Sequence, residues 1–258
     1  MKKLLYVFIV LIILIVGFLL ANNYLSNKDN KTSDNKKTTT TTKKEETKKE
    51  NIMEGVTLNY HASIRIEKNN KVIYFDPYKI DDAKNDADYI FITHSHYDHY
   101  SESDIKKVMK GSTKFIVTSD LEDKVNALGT NNITVAYPEK NYTIDDLKVE
   151  TIPSYNTNKT FHKKSYNWVG YNVEIDNVKY YVVGDSDITD ELKKVKCDVI
   201  FIPVGGTYTM TDGEAAEVVN EIKPKYAVPI HYGEVGSKTN AESFISKLNS
   251  EIEGIILK

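Results

Sequence analysis

The sequence predicts an α/β fold in which two mixed β-sheets form a sandwich with helices on the outside. Two continuous apolar runs, Tyr89–Thr93 and Val199–Val204, are typical of strands that are buried on both faces. Segments with helical periodicity stand between strands in both halves of the chain, and no internal repeat is evident. Because sheets and helices must cover each other's apolar faces, two mixed sheets with outer helices accommodate this order of elements.

The first half of the body opens with a strand meander. Lys68-Asn69-Asn70-Lys71 separates two β-type runs and predicts a hairpin turn. A helix is predicted over Ser101–Lys110, with Ser101 as its N-cap, and a shorter helix over Leu121–Leu128. The predicted strands of this half are Val56–Tyr60, Ser63–Glu67, Val72–Phe75, Tyr89–Thr93, Phe115–Thr118, Ile133–Ala136 and Leu147–Pro153.

The second half predicts a further hairpin and two helices. Tyr166–Ile175 and Val178–Val183 alternate around an Asp176-Asn177 turn. A helix over Asp212–Ile222 ends at Lys223-Pro224, because proline does not continue a helix. The remaining predicted elements are the strands Val199–Val204 and Tyr226–Ile230, the helix Ala241–Asn249 and a last strand over Ile255–Leu257.

An apolar leader precedes this body. Leu4–Ala21 contains 18 uncharged residues, which as a helix would span roughly 27 Å, close to a hydrocarbon core of about 30 Å. A cleaved signal peptide usually has small residues at −3 and −1, whereas cleavage after Ala21 would put Leu19 at −3. We therefore predict an uncleaved signal anchor over residues 1–21 in the cell membrane, with the body outside the cytoplasm. Cleavage after Ala21 would instead give a secreted protein.

A polar segment and an acidic body follow the leader. Residues 22–53 contain eight lysines, five acidic side chains and five consecutive threonines without apolar periodicity, so we expect a disordered tether. Residues 54–258 carry 24 basic and 32 acidic side chains, a net charge of −8, and are numerous enough for one domain. Nucleic-acid binding needs a basic surface, so no nucleic-acid partner is expected. A single cysteine, Cys197, excludes a disulfide scaffold.

Three of the six histidines stand within six residues. The run His94-Ser95-His96-Tyr97-Asp98-His99 follows directly on the predicted strand Tyr89–Thr93. In extended backbone the side chains of His94 and His96 project to the same side. Imidazole nitrogen and carboxylate oxygen are the ligands that zinc favours at about 2.0–2.2 Å. Four candidate ligands at this spacing are hard to explain by packing, so the run predicts a metal site.

Two later segments fit the same site. The strand Val178–Val183 runs into Gly184-Asp185, and Tyr226–Ile230 runs into His231. Ligands gather at the ends of strands in mixed α/β folds. Taken alone, Asp185 is compatible with an ordinary turn and His231 with an ordinary loop. With the histidine run they supply a carboxylate and a further imidazole.

These motifs, in this order, resemble the metallo-β-lactamase superfamily. The run from His94 to His99 matches its His-x-His-x-Asp-His motif, and the resemblance covers essentially all of residues 54–258. The chain is most similar to the small single-domain hydrolases of the branch that includes L-ascorbate-6-phosphate lactonase. The further marks are Tyr60-His61-Ala62-Ser63, Asp76-Pro77-Tyr78, Pro153-Ser154-Tyr155-Asn156, Gly184-Asp185-Ser186-Asp187, Pro203–Met210 and His231-Tyr232-Gly233.

The resemblance implies a four-layer αββα sandwich with a dinuclear site at one edge. By position, His94 and His96 would hold the first metal, and Asp98, His99 and His231 the second, with Asp185 bridging both. Two divalent ions are implied, with zinc expected and manganese or iron(II) as alternatives.

The chain departs from the superfamily at one ligand. Where a third histidine usually completes the first metal, after the strand that ends near Pro153, this sequence reads Tyr155-Asn156. The nearest imidazole is His162. Either His162 reaches the site, or the first metal is bound weakly, or the site works with one metal.

Four other side chains are candidates near the expected site. His61 either lines the pocket, as a candidate for binding metal or substrate, or is an ordinary buried histidine. Asp76 is expected to orient a ligand imidazole, because such histidines usually donate their second N–H to a carboxylate. Asn156 and Lys159 belong to a polar loop near the mouth, where Lys159 is a candidate for contact with an anionic substrate group.

The predicted activity is metal-assisted hydrolysis of a small ester, lactone or phosphodiester by a metal-bound hydroxide. Asp98 is the candidate catalytic residue, because a carboxylate beside the metals orients that hydroxide or accepts its proton. The alternative is a non-catalytic metal-binding or sensing module on the same fold, which the departure at Asn156 keeps open. A third hypothesis is an interaction domain that binds no metal.

Overall fold

A computed structural model describes residues 51–234 and 240–257. The predicted signal anchor over residues 1–21 and nearly all of the predicted tether lie outside the described residues. Within the described ranges no helix is long and apolar enough to cross a membrane. The folded part already includes Asn51, three residues before the predicted start at 54, because Ile52 and Met53 pack against the core. The carbonyl of Ile52 also accepts a hydrogen bond of 2.6 Å from the hydroxyl of Tyr180.

The first sheet has six strands in chain order, β1 to β6. Strands β1 to β3 are antiparallel, and β3 to β6 are parallel. At the predicted hairpin turn, Asn69 and Asn70 have φ of +47° and +59°, the left-handed values that a tight turn of type I′ requires. The strands are β1 (Val56–Tyr60), β2 (Ser63–Lys68), β3 (Lys71–Phe75), β4 (Ala87–Ile92), β5 (Met109–Thr118) and β6 (Ile133–Ala136).

The second sheet has seven strands, β7 to β13, and its strands again neighbour one another in chain order. Strands β7 to β10 are antiparallel, and β10 to β13 are parallel. Both sheets are therefore mixed, as predicted. The strands are β7 (Asn141–Ile144), β8 (Leu147–Pro153), β9 (Val169–Ile175), β10 (Val178–Val182), β11 (Val199–Pro203), β12 (Tyr226–Ile230) and β13 (Glu253–Gly254).

Helices cover the outer faces of the two sheets. The Ser101 side chain accepts a hydrogen bond from the N–H of Asp104 and caps the first helix, as the sequence predicts. Thr211 and Glu214 form a capping box at the third helix. The α-helices of the described part are α1 (Glu102–Val108), α2 (Glu122–Asn126), α3 (Asp212–Ile222) and α4 (Asn240–Ile245).

Three apolar clusters define the four layers. The central cluster joins the inner faces of the sheets, with Phe91 of β4 in a T-shaped contact with Tyr171 of β9 at 5.1 Å between ring centroids. A second cluster packs α3 and α4 on the outer face of the second sheet. A third packs α1 and α2 on the outer face of the first sheet. The order is helices, sheet, sheet, helices, which is the predicted αββα sandwich.

Several predicted boundaries differ from the structure, among them the strand predicted from Phe115, which begins at Met109, and the helix predicted to reach Asn249, which ends at Ile245. The helix predicted to reach Lys110 ends at Val108, because Met109 is already extended and begins β5. The hairpin strand predicted from Tyr166 begins at Val169, after a 3₁₀ turn. The last strand is Glu253–Gly254 rather than Ile255–Leu257, because the pairing with β12 is made by Glu253 and Gly254.

Candidate metal centre

Strand ends from both sheets bring the candidate ligands to one edge of the sandwich. β4 leads into the histidine run, β10 leads into Asp185, and β12 leads directly into His231. All three strands lie in the parallel parts of their sheets, where carboxyl ends share an edge. The topology therefore collects side chains that are up to 137 residues apart in the sequence, from His94 to His231.

The first donor group contains His94, His96, His162 and Asp185, whose ligand atoms lie within 4.8 Å of one another. His94 Nε2 lies 3.2 Å from His96 Nδ1. His162 Nε2 lies 3.1 Å from the same His96 nitrogen and 3.2 Å from Asp185 Oδ2. Of the three alternatives for the departure at Asn156, the geometry matches the first: His162 reaches the other two histidines.

The second donor group surrounds the carboxylate of Asp98 and the other side of Asp185. His99 Nε2 lies 3.3 Å from Asp185 Oδ1, and His231 Nε2 lies 3.1 Å from Asp185 Oδ2. Asp98 Oδ2 lies 3.5 Å from the Nε2 atoms of both His231 and His61. His61 is thus a buried residue next to Asp98, with its ring centroid 3.9 Å from that of His231.

The donor set fits divalent ions such as zinc. Within the described part of the chain, both ring nitrogens of His61 and His231, Nε2 of His99 and Oδ1 of Asp185 are buried without an aligned hydrogen-bond partner. Leaving buried polar atoms unpaired costs about 1–3 kcal/mol each. A divalent ion ligated by imidazole nitrogen and carboxylate oxygen would satisfy such atoms. The clustering of these atoms therefore indicates a metal centre rather than packing.

Asp76 supports the site from behind. Its Oδ2 lies 2.7 Å from His99 Nδ1, and both side chains are fully buried. The same carboxylate accepts hydrogen bonds from the backbone N–H of Thr93 (2.8 Å) and its hydroxyl (2.7 Å). Thr93 Oγ1 in turn lies 3.0 Å from His94 Nδ1. Asp76 therefore stands where the sequence predicts an orienting carboxylate.

Asn156 contacts His162 instead of occupying a ligand position itself. Its amide nitrogen lies 3.1 Å from His162 Nδ1 and donates a 2.7 Å hydrogen bond to the carbonyl of Tyr208. The backbone N–H of Asn156 also donates to the carbonyl of His162. The loop between these two residues is thereby closed on itself, which holds the His162 ring against the first donor group.

The backbone at several site residues has left-handed φ values that residues other than glycine rarely adopt. His61, His162 and His231 have φ of +52°, +52° and +56°, and Asp76 has +45°. Such conformations cost on the order of 1–3 kcal/mol each and cluster at functional sites. The backbone N–H of His231 donates to the carbonyl of His61, which ties two of these turns together.

Burial keeps part of the site neutral. Burial lowers the pKa of His94 well below its ordinary value, and the nearby His99 lowers it further. Burial likewise lowers the pKa of His96 and of His61. Because a metal binds the neutral imidazole, these three rings are suited to ligation at neutral pH without loss of a proton.

The second donor group is more strongly charged before metal binds. Burial alone would lower the pKa of His231, but the Asp185 and Asp98 carboxylates raise it to about 9. Burial alone would also lower the pKa of His99, but Asp185 and Asp76 raise it well above the ordinary value. Conversely, burial alone would raise the pKa of Asp98, but the adjacent His231 and His61 imidazoles hold it well below its usual range.

A cavity of about 290 Å³ opens onto both donor groups. Five candidate ligands line it together with the aromatic side chains of Tyr97, Phe161 and Tyr208. Lys159, the predicted substrate contact, is not among the lining residues and forms an ion pair with Asp187. The motif did place Tyr97 beside the site, and Tyr208 belongs to the segment Pro203–Met210 that carries part of the family resemblance, but no sequence signal distinguishes Phe161.

Comparison with known proteins agrees with this architecture. A family model described as a beta-lactamase superfamily domain matches residues 56–231. The chain belongs to the metallo-β-lactamase superfamily. Within the superfamily it is similar to a UPF0173 metal-dependent hydrolase of Thermococcus onnurineus, with 29% identity over 182 residues, 67% of this chain and 80% of the relative.

Two solved structures give the same result. A putative metal-dependent hydrolase from Parabacteroides distasonis is 28% identical, with a TM-score of 0.67 over 78% of this chain and 91% of that chain. A putative Zn-dependent hydrolase of the superfamily from Thermotoga maritima is 20% identical, with a TM-score of 0.52 over 78% and 97%, and supports the fold alone. The matches confirm the prediction of a hydrolase of this superfamily. The narrower resemblance to ascorbate-phosphate lactonases stays a prediction.

Proposed function

We propose that this chain binds two divalent ions, with zinc as the expected ion, and hydrolyses a small ester, lactone or phosphodiester. The observation that supports this most directly is the position of Asp185 between the two donor groups. Its Oδ2 lies 3.2 Å from His162 Nε2 of the first group and 3.1 Å from His231 Nε2 of the second. One buried carboxylate shared by two imidazole clusters suits a pair of neighbouring cations.

His94, His96 and His162 would hold the proposed first ion, and Asp98, His99 and His231 the second, with Asp185 shared between them. His61, whose Nε2 lies 3.5 Å from Asp98 Oδ2, would be a further donor to the second ion. Bound divalent ions supply Lewis-acid polarisation of the scissile group and stabilise the negative charge that develops on it.

Asp98 is the proposed proton-transfer group. Its side chain is partly exposed at the cavity wall, whereas the carboxylate of Asp185 is almost fully buried. The low pKa of Asp98 means that it is ionised at neutral pH. An ionised carboxylate at the wall can orient an attacking water and accept its proton. No serine or cysteine nucleophile is needed for this chemistry.

Metal content and hydrolysis, measured together on the full 258-residue chain, test the proposal. The purified chain is stripped with chelator and reloaded with zinc, manganese or iron(II), and lactone, ester and phosphodiester substrates are assayed. We expect about two ions per chain and turnover that disappears with chelator and returns with metal. His96→Ala should lose turnover. Turnover that persists without metal would refute the mechanism, whereas tight metal binding without any turnover would favour a binding or sensing module.

We also propose that residues 4–21 anchor the protein in the cell membrane with the body outside the cytoplasm. The support is the 18-residue uncharged apolar run with two lysines before it. Membrane fractionation with protease added to intact cells tests this. Recovery of the chain in the membrane fraction, with the body accessible to protease, agrees with the proposal. A body that is protected in intact cells contradicts it.

A further inference from the structure

Aromatic side chains form the cavity walls beyond the donor groups. Phe161 and Tyr208 meet edge to face, with ring centroids 4.8 Å apart and planes at 86°. Tyr97 also lines the cavity. Large hydrophobic side chains are exposed at only five described positions, and two of them are in this cavity: Tyr97 is 72% exposed and Phe161 46%. Exposed aromatic side chains gathered in one cavity indicate a surface that binds apolar groups of a ligand.

Outside the donor groups, the described walls offer no lysine or arginine to an anionic substituent. Among the described residues that line the cavity there is no lysine or arginine. Lys79, which lies beside Tyr78 near the Tyr97 wall, is paired with Glu234. Lys159, in the loop that carries Phe161, is paired with Asp187. Recognition of a phosphate or carboxylate away from the metal centre needs a cation, and both of these are already neutralised.

We propose that the substrate of this site carries an uncharged aromatic group, which lies between Tyr97 and the Phe161–Tyr208 pair while the scissile group faces Asp98 and Asp185. Aromatic rings favour edge-to-face and offset contacts of the kind that these walls provide. The cavity volume of about 290 Å³ lies near the lower end of the range for small-molecule sites, so one ring and a short ester or lactone fill it. This inference rests on the proposed function, because the metal centre defines the reacting end.

Hydroxamates of different substituents test the aromatic subsite without depending on the scissile bond. A hydroxamate binds a metal ion through its own oxygens, so acetohydroxamate, benzohydroxamate and succinic monohydroxamate share one anchor and differ in carrying a methyl, a phenyl or a carboxylate group. Zinc is first titrated into the full chain by the fluorescence of Trp168, the single tryptophan, whose ring lies 4.7 Å from His94 and 4.9 Å from His96. Affinities for the three hydroxamates are then measured by calorimetry on the zinc-loaded protein.

We expect benzohydroxamate to bind about tenfold more tightly than acetohydroxamate, from ring contacts and apolar burial. The carboxylate compound should bind no more tightly than acetohydroxamate. Phe161→Ala should remove most of the phenyl advantage and leave acetohydroxamate affinity nearly unchanged. Tyr137→Ala is the matched control, because Tyr137 is 49% exposed and lies outside the cavity lining.

The outcomes separate this inference from the proposed function. If none of zinc, manganese and iron(II) binds in the same titration, the metal centre itself is refuted, and the inference falls with it. If zinc binds but the phenyl and methyl compounds bind equally, or the carboxylate compound binds best, only the aromatic subsite is refuted. A Phe161→Ala variant that weakens both the phenyl and the methyl compound to the same extent also refutes it, because the phenyl group would then not lie on Phe161.

Discussion

The carboxylate of Asp76 lies 2.7 Å from Nδ1 of His99, and neither side chain is exposed to solvent. A carboxylate at this position keeps a proton on Nδ1, so Nε2, which lies 3.3 Å from Asp185 Oδ1, is the nitrogen that a metal would take. Asp76 belongs to no candidate ligand group, yet it decides which nitrogen of a candidate ligand is free.

Asp76→Asn should therefore weaken metal binding while it preserves the shape of the site. An amide accepts the imidazole proton more weakly than a carboxylate does, and loss of such an orienting partner typically costs 10- to 100-fold in metal affinity. The measurement is the zinc dissociation constant, determined by competition with a chromophoric chelator. Asp145→Asn is the control, since Asp145 is about half exposed and pairs with Lys114 away from the site. Equal zinc affinity in the wild type and Asp76→Asn would show that Asp76 only stabilises the fold.

His162→Ala should reduce metal content from about two ions per chain to about one. The variant removes one of the three imidazoles of the first donor group and leaves the second group, around Asp98 and His231, complete. Metal content after dialysis gives the stoichiometry, and thermal unfolding shows whether the variant is folded. Lys163→Ala, the adjacent position, is the control. Two firmly held ions in the folded His162→Ala variant would mean that the first metal does not use His162.

Metal binding should release protons at pH 7. In the metal-free protein the pKa of His231 is raised to about 9, so its imidazole is charged at pH 7 and must lose a proton before it can bind a metal. The affinity for zinc should therefore rise with pH up to about pH 9 and level off above it. Calorimetric titrations in buffers with different enthalpies of ionisation measure the released protons, which we expect to number about one to two, because the pKa of His99 is raised as well.

His231→Gln is the matched variant for this measurement. It removes the imidazole whose pKa is raised to about 9, so fewer protons should be released per bound ion at pH 7. A binding enthalpy that does not change between buffers in the wild type would contradict a charged His231 in the metal-free site.

Where local sequence signals mark both ends of an element, the predicted bounds agree with the structure. Asp212–Ile222 is a helix with the predicted bounds, because Thr211 caps one end and Lys223-Pro224 ends the other. Tyr226–Ile230 is a strand with the predicted bounds. By contrast, β7 (Asn141–Ile144) was not predicted, because it is four residues long and only Ile144 is buried, which leaves almost no apolar pattern.

The sequence predicted those parts of the site that belong to recognisable motifs. The spacing of the histidine run indicated a metal site, since four candidate ligand residues within six positions have few other uses. Whether His162 reaches that site depended on a loop between Asn156 and His162 that closes through contacts with Tyr208, and such contacts between distant segments have no local signature. The contact between Phe161 and Tyr208 in the cavity wall escaped prediction for the same reason, because these two residues are distant in sequence and meet only in the fold.

Gly184 gives a stability test of how closely the two sheets approach at the site. It has φ of +72°, and a Cβ added there would lie 3.1 Å from Ser154 Oγ and 3.2 Å from Thr93 Cβ. Gly184→Ala therefore combines a left-handed backbone with overpacking against the strand end that precedes His94. The left-handed backbone costs roughly 1–2 kcal/mol and the overpacking roughly 1–3 kcal/mol, so the free energy of unfolding should fall by about 2–5 kcal/mol.

Two other glycines separate the contributions. Gly129 has φ of +86° but no neighbour within 4 Å of an added Cβ. Gly129→Ala should therefore lower the free energy of unfolding only by the cost of the left-handed backbone, about 1–2 kcal/mol. Gly111 has neither feature, and Gly111→Ala should change stability by less than about 0.5 kcal/mol. Urea unfolding of the three variants measures the series. If Gly184→Ala and Gly129→Ala lose the same free energy, the contact of residue 184 with Thr93 and Ser154 is not tight, and only the left-handed backbone favours a glycine beside Asp185.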